Sequence, residues 1–125
     1  MAEIVPGSRG LRGTHDLPLR GGTTVSARFG PLEATRVAGG FDVSAGPGAD
    51  LALGFPKNGP GSEGEAWLLH DVQLGRRLTL GALGSRATRL LGPREEDGFA
   101  TGLTMSPDTS GDGRADLLIG SPSED

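Results

Sequence analysis

Short stretches in which apolar and polar residues alternate recur along the chain, and turn-forming residues separate them. Residues 23 to 29 read Thr-Thr-Val-Ser-Ala-Arg-Phe, a period of two that is typical of a half-buried β-strand. Segments rich in Gly and Pro lie between the alternating stretches and favour turns. The pattern predicts an all-β fold. Further strands are expected at residues 2–5, 34–38, 65–69, 78–83, 87–91 and 100–105.

The composition agrees with this fold class. The 23 Gly and 9 Pro among 125 residues fall between short apolar runs, where a β protein needs its turns. Five aromatic residues and a hydrophobic fraction of 34% mean that a core must be built mainly from Leu, Val, Ala and Ile. The length is that of one domain.

A loop rich in oxygen-bearing side chains is the most informative local motif. Residues 108 to 116 read Asp-Thr-Ser-Gly-Asp-Gly-Arg-Ala-Asp, with such side chains at positions 1, 3, 5 and 9 and Gly at position 6. This spacing resembles the way an EF-hand loop wraps a hard cation. Position 12, however, is Ile119 and not the bidentate Glu that an EF-hand requires. We therefore expect a loop between two strands, with residues 117 to 119 forming a buried strand.

The loop has a second copy earlier in the chain. Residues 42 to 56 align without a gap with residues 108 to 122, at an offset of 66 residues. Asp, Ser, Ala-Asp-Leu, Gly and Pro recur in register. The period lies near the upper end of those used by propeller blades and solenoid units. Residues 83 to 91 could form a short helical turn, but we expect a strand there because both copies would need one.

Three features around the second copy resemble the FG-GAP repeat of integrin α-subunit β-propellers and their bacterial relatives. They are Phe99-Ala100, the loop at residues 108 to 116, and Gly120-Ser121-Pro122. In that family Phe-Gly opens a blade, an Asp-rich loop holds calcium and Gly-Ala-Pro closes the blade. In the first copy Phe29-Gly30 lies four residues further from its loop, and the loop lacks an acid at position 5. The resemblance implies a single domain of two blade-like repeats, approximately residues 1–56 and 57–125.

The resemblance also implies Ca²⁺ as the bound cofactor. Calcium accepts a mixed shell of oxygen ligands, whereas magnesium requires a stricter octahedron. In the first loop Gly46 stands where a ligand is needed, so we expect Asp42, Ser44 and Asp50 to form a turn that keeps the shape without metal. In the second loop the expected ligands are the carboxylates of Asp108, Asp112 and Asp116, the hydroxyl of Ser110, directly or through water, and the backbone carbonyl of Arg114.

Two blades cannot close a ring, and open blade edges favour association. The sequence therefore predicts a homo-oligomer, in which the N-terminal strand of one chain completes the last blade of the next. Three chains would give six blades and four chains eight, in contrast to the seven blades of integrin-type propellers. The alternatives are a small self-contained β-domain and a fragment of a longer protein.

Two classes of function remain open. The first is a calcium-binding β-propeller-type module that binds or scaffolds a protein or glycan partner, as the resemblance implies. The second is a small enzyme, a hydrolase or cyclase, with His15, His70 or Glu33 as acid/base groups in the cavity of an assembled propeller. Adjacent His and Asp residues occur twice, but neighbours on a strand point to opposite faces. The lone Trp67 could line a sugar-binding groove, although its apolar neighbours favour a place in the core.

Charge and hydropathy exclude other partners. A net charge of −4 argues against nucleic acid, since binding to phosphates needs a basic surface. No apolar run approaches the ~20 residues of a membrane span, and residues 1 to 20 lack the apolar segment of a signal peptide. The absence of cysteine excludes disulfides and thiol catalysis, and leaves the compartment open.

Overall fold

The structure is a computed structural model and describes residues 2–4, 23–27, 36–73 and 75–122. Within these residues the protein is all-β, with one 3-10 helix at Gly84–Arg86. Each predicted strand overlaps an observed one, but the strand expected at residues 78–83 ends at Leu80. Of residues 83 to 91, where a strand was expected, only the last five form one, directly after the helix. Residues 5, 28, 29, 34 and 35 of the predicted strands lie outside the described residues. The strands are β1 (Ala2–Ile4), β2 (Thr23–Ala27), β3 (Arg36–Gly39), β4 (Leu51–Phe55), β5 (Glu65–Leu69), β6 (Arg77–Leu80), β7 (Ala87–Leu91), β8 (Gly102–Ser106) and β9 (Asp116–Gly120).

The strands form three sheets. In the first, β1 pairs antiparallel with β2, and β2 pairs parallel with β6. The second is a four-stranded antiparallel sheet in the order β3-β4-β5-β7. The third is the antiparallel hairpin β8-β9. We call the second sheet the central sheet because the other two pack against it.

Alternate residues of β4 show how the sheets are stacked. Leu51, Leu53 and Phe55 belong to a large buried cluster that also contains Val25 of β2 and Leu80 of β6. Ala52 belongs to a separate cluster with Leu68 and Met105, the latter from β8. Since successive side chains of a strand point to opposite faces, the central sheet has the first sheet on one face and the β8-β9 hairpin on the other. Every residue of β4 and β5 is buried.

The 66-residue repeat is present in the backbone pairing as well as in the sequence. In the β3-β4 hairpin Arg36 lies opposite Gly54 and Gly39 opposite Leu51. In the β8-β9 hairpin the residues 66 positions later pair in the same way, with Gly102 opposite Gly120 and Met105 opposite Leu117. The two hairpins therefore have the same register. The expected division near residue 56 falls between β4 and β5, two neighbouring strands of the central sheet.

The expectation that residues 117 to 119 form a buried strand is only half right. They lie in β9, but Leu117 and Ile119 are half-buried and the side chain of Leu118 is 45% exposed. Its equivalent in β4, Ala52, is 0% exposed. The difference arises because sheets cover both faces of β4 and β5 pairs with its second edge, whereas no described strand covers the outer face of β9 or pairs with its second edge.

The space around two equivalent glycines, Gly54 and Gly120, predicts that the same substitution lowers the stability by different amounts. A Cβ atom at Gly54 would lie 2.8 Å from the carbonyl oxygen of Ala100, so the backbone would have to shift. At the equivalent Gly120 the nearest atom is the Cα of Gly102, at 3.7 Å. We expect Gly54→Ala to lower the free energy of unfolding by about 2 kcal/mol and Gly120→Ala to be tolerated. Urea unfolding of both variants measures this; equal effects would contradict it.

Candidate functional site

The loop between β8 and β9 is organised by its own carboxylates. Asp108 accepts backbone N–H bonds from Gly111, Asp112 and Gly113, with N···O distances of 2.6, 3.1 and 2.8 Å. The Asp112 carboxylate accepts a bond of 2.9 Å from the backbone N–H of Arg114. Residues 108 to 114 are all exposed. The loop thus holds its acidic side chains at the surface, on a fixed backbone.

Asp116 closes the same loop. Its Oδ2 atom accepts backbone N–H bonds from Thr109 at 2.6 Å and Ser110 at 2.7 Å. These two bonds favour the charged carboxylate and lower the pKa of Asp116 below its ordinary value of 3.8. The carboxylate is therefore ionised at neutral pH, as a cation ligand must be.

The five predicted calcium ligands thus lie in one loop. Their oxygen donors suit calcium, and a carboxylate that accepts an N–H bond keeps further lone pairs. Within the described parts of the chain, however, no group of three or more His, Cys, Asp or Glu side chains is placed to hold a metal ion. The carboxylates of Asp108, Asp112 and Asp116 accept backbone N–H bonds. The calcium site stays a prediction.

The first loop, between β3 and β4, is built around a buried carboxylate. Asp50 is only 3% exposed and accepts four hydrogen bonds. Three come from backbone N–H groups, those of Val43 at 2.8 Å, Ser44 at 2.7 Å and Asp71 at 2.9 Å. The fourth comes from the Ser44 hydroxyl at 3.0 Å. Asp50 therefore ties the loop to the segment that follows β5.

The two loops share three backbone-to-carboxylate hydrogen bonds. Val43 and Ser44 donate to Asp50 as Thr109 and Ser110 donate to Asp116. The Gly46 N–H donates to Asp42 at 3.1 Å, and its equivalent, the Asp112 N–H, donates to Asp108 at the same distance. The first loop therefore keeps the shape of the second, as the sequence predicted.

Asp71 supplies the acid that the first loop lacks. Its Oδ1 accepts an N–H bond from Gly48 at 2.8 Å. In the second loop the equivalent N–H, that of Arg114, donates to Asp112 at 2.9 Å. A Cβ atom added to Gly46, the residue equivalent to Asp112, would overlap the carboxylate of Asp71. A side chain from outside the loop thus occupies the place of the missing one.

Sequence reasoning missed this role of Asp71 and treated the residue only as the neighbour of His70. One signal was available: Gly46 leaves a gap in the loop, and Asp71 follows the strand after it. The sequence alone does not show that β5, by pairing with β4, brings Asp71 back to the loop.

The residues considered for acid/base catalysis have other partners or lie elsewhere. The Nε2 atom of His70 is 2.9 Å from the Thr88 hydroxyl, whereas the adjacent Asp71 contacts the first loop. A cavity of 370 Å³ beside His70 is lined in part by Arg76 and Arg86. His15 and Glu33 lie outside the described residues, as does the predicted Phe29-Gly30 motif.

Trp67 lies in the core, as its neighbours predicted. It belongs to the large cluster of the central sheet. The guanidinium of Arg89 lies 5.7 Å from its ring centroid and also forms an ion pair of 2.6 Å with Glu65. The interpretation of Trp67 as part of a sugar-binding groove finds no support in this position.

The backbone at Ala100 has a conformation that is uncommon for a residue other than glycine. Ala100 has a φ of 65°, in the left-handed region where Gly is the least strained residue. The backbone N–H of Phe99 bonds to the carbonyl of Glu63 at 3.0 Å. Ala100 thus has the conformation that a Gly at the second position of Phe-Gly would adopt without strain.

Comparison with known proteins adds no family assignment. No protein-family profile matches the chain, and no curated protein matches it significantly. In the described part of the structure, no helix has the length and apolar character that a membrane span needs.

Proposed function

We propose that this chain is a calcium-binding module of the FG-GAP β-propeller type, which assembles with further copies and binds a protein or glycan partner. One observation carries the proposal: the 66-residue repeat recurs with the same strand register in both hairpins and with three shared carboxylate-to-amide hydrogen bonds in both loops. A repeating hairpin with an Asp-closed loop is the structural unit that the FG-GAP resemblance implies.

The stacking of the sheets supports the propeller part of the proposal. The blades of a β-propeller are four-stranded sheets arranged around an axis. The central sheet has four antiparallel strands and is covered on both faces by neighbouring sheets. In the proposed propeller this sheet would be one complete blade. The β1-β2 pair and the β8-β9 hairpin would then belong to the blades before and after it.

The second loop supports the calcium part. Asp108, Asp112 and Asp116 would supply carboxylate oxygens, Ser110 a hydroxyl and Arg114 its backbone carbonyl. All these donors are hard oxygen ligands, and three carboxylates in one exposed loop repel one another when no cation is bound. A bound calcium ion would remove this repulsion and stiffen the loop.

Binding is a better proposal than catalysis for the described residues. His70 and Asp71 are adjacent but engage different partners, Thr88 and the first loop. The two aspartate loops each connect the strands of a hairpin and would lie at the same end of successive blades. Loops held by a rigid sheet are the usual place for recognition.

The calcium site is tested by the thermal stability of the wild type and Asp112→Ala. Calcium at 100 times its dissociation constant would stabilise the wild type by about 2.7 kcal/mol. We expect Asp112→Ala to lose most of this gain, because it removes a charged ligand from the loop. Arg114→Ala is the matched control, since it keeps the backbone carbonyl and should respond as the wild type does.

Differential scanning calorimetry with calcium, with magnesium and with a chelator gives the result. If Asp112→Ala and the wild type respond equally to calcium, the loop is not the site. If the wild type itself shows no response, the calcium part of the proposal is wrong.

A further inference from the structure

We infer that the second edge of β9 binds strand β1 of another copy of the chain. The β8-β9 hairpin of one copy and the β1-β2-β6 sheet of the next would then form a single five-stranded sheet, in the order β8-β9-β1-β2-β6. This inference rests on the proposed assembly of copies, but it does not depend on calcium.

The central sheet contains an edge that is equivalent to the second edge of β9, and a strand pairs with it. In the central sheet β4 pairs with β3 on one side and with β5 on the other. β9 pairs with β8 in the same register in which β4 pairs with β3. Among the described strands, none pairs with the second edge of β9. The second edge of β9 is therefore equivalent to the edge of β4 that pairs with β5.

β1 has the complementary edge. It pairs antiparallel with β2 on one side, and among the described strands it is the outer one of its sheet. β5 also pairs antiparallel with β7, in a register that differs by three residues. The pairing between copies follows from the pairing of β4 with β5. Adding 66 to the number of a β4 residue gives the equivalent residue of β9, and subtracting 66 from the number of a β5 residue gives the equivalent residue of β1. Ala52 lies opposite Leu68 in the central sheet, so Leu118 of one copy would lie opposite Ala2 of the next.

The contact between two copies would cover the exposed side chain of Leu118. Leu118 is 45% exposed, whereas Ala52 at the equivalent position is fully buried. An open edge with an apolar side chain favours pairing with another chain. In the joined sheet β9 would continue the β1-β2 pair, which already packs on the central sheet of its own copy through Val25. The contact therefore extends an interface that each chain builds by itself.

The two edges cannot meet within one chain. β1 and β9 belong to sheets on opposite faces of the central sheet, and stacked sheets lie about 10 Å apart. The edges are thus separated by roughly 20 Å. A contact in which the β9 edge of one copy meets the β1 edge of the next is head-to-tail. Repeated contacts of this kind close into a ring when the rotation between successive copies brings the last copy back to the first. Rings of three or four copies fit the range of about 4–8 blades that propellers use.

Engineered cysteines test the pairing, because the chain contains none. Ala2→Cys and Leu118→Cys are prepared separately, mixed and oxidised with a glutathione couple. We expect a disulfide-linked species that contains one chain of each variant, since opposite residues of paired strands are close enough for a disulfide. Light scattering of the wild type should give a mass at least twice that of the monomer.

Thr104→Cys is the matched control. Thr104 lies opposite Leu118 on β8, one strand further from the proposed partner and roughly 10 Å from it, which is too far for a disulfide. Equal cross-linking of Ala2→Cys with Thr104→Cys and with Leu118→Cys would overturn the inference, as would a wild type that stays monomeric. We expect the same cross-linking with calcium and with chelator, because the edge pairing does not depend on calcium. The calcium proposal can fail separately, in the calorimetric test of Asp112→Ala.

Discussion

Replacing Asp50 with alanine is expected to lower the free energy of unfolding by about 3 to 5 kcal/mol. The Asp50 carboxylate is buried and accepts four hydrogen bonds, from Val43, Ser44 and Asp71. Three of the donors are backbone N–H groups in partly buried segments, which would lose their partner without gaining free access to water. The first loop would also lose its connection to the segment after β5.

Asp116→Ala is the matched control for this result. Asp116 accepts the equivalent bonds from Thr109 and Ser110, but in an exposed loop where water can replace it. We expect a much smaller loss of stability than for Asp50→Ala. Urea unfolding of both variants, followed by the fluorescence of Trp67, is the measurement. Equal losses of stability in the two variants would show that the contribution of Asp50 to stability does not depend on the burial of its carboxylate.

The second large effect is expected for Gly46→Asp. This substitution gives the first loop the acid that the second loop has, but its side chain would overlap the carboxylate of Asp71. Steric overlap and the repulsion of two carboxylates are expected to destabilise the protein by about 3 kcal/mol. Adding Asp71→Gly should recover most of this loss, because the new carboxylate can then accept the Gly48 N–H. Glycine also suits position 71, where φ is 48°.

A double-mutant cycle tests this exchange. The two single variants, Gly46→Asp and Asp71→Gly, are each expected to be less stable than the wild type and less stable than the double variant. The coupling between the two positions should therefore be large and favourable. Additive effects would mean that Asp71 does not occupy the place of the missing side chain.

Most of the strands, although not β4, were predicted from the sequence because their signals are local. Alternation of apolar and polar residues identified β2, and the segments at residues 65–69 and 87–91 coincide with β5 and β7. The repeat also carried information on pairing, since residues that match in sequence form hairpins of the same register. The alternation can be read within a few residues, and the repeat by aligning two segments of the chain.

What the sequence did not reveal depends on contacts between distant residues. Asp71 reaches Gly48 across 23 positions, through the pairing of β4 with β5. The exposure of Leu118 was missed because an apolar strand predicts burial only when other elements cover it. The sequence placed the five candidate ligands in one loop, but it did not show their carboxylates bonded to backbone amides.

The shared register of the two hairpins has a consequence for how such a protein can change in evolution. A duplicated segment of 66 residues would repeat every strand pairing and every loop hydrogen bond without any new side chain contact having to arise. Chains of this design can therefore lengthen by whole units, and several separate chains could be replaced by one fused chain. The first loop, which recruits Asp71 from a neighbouring segment, shows that such units can then diverge while their geometry is kept.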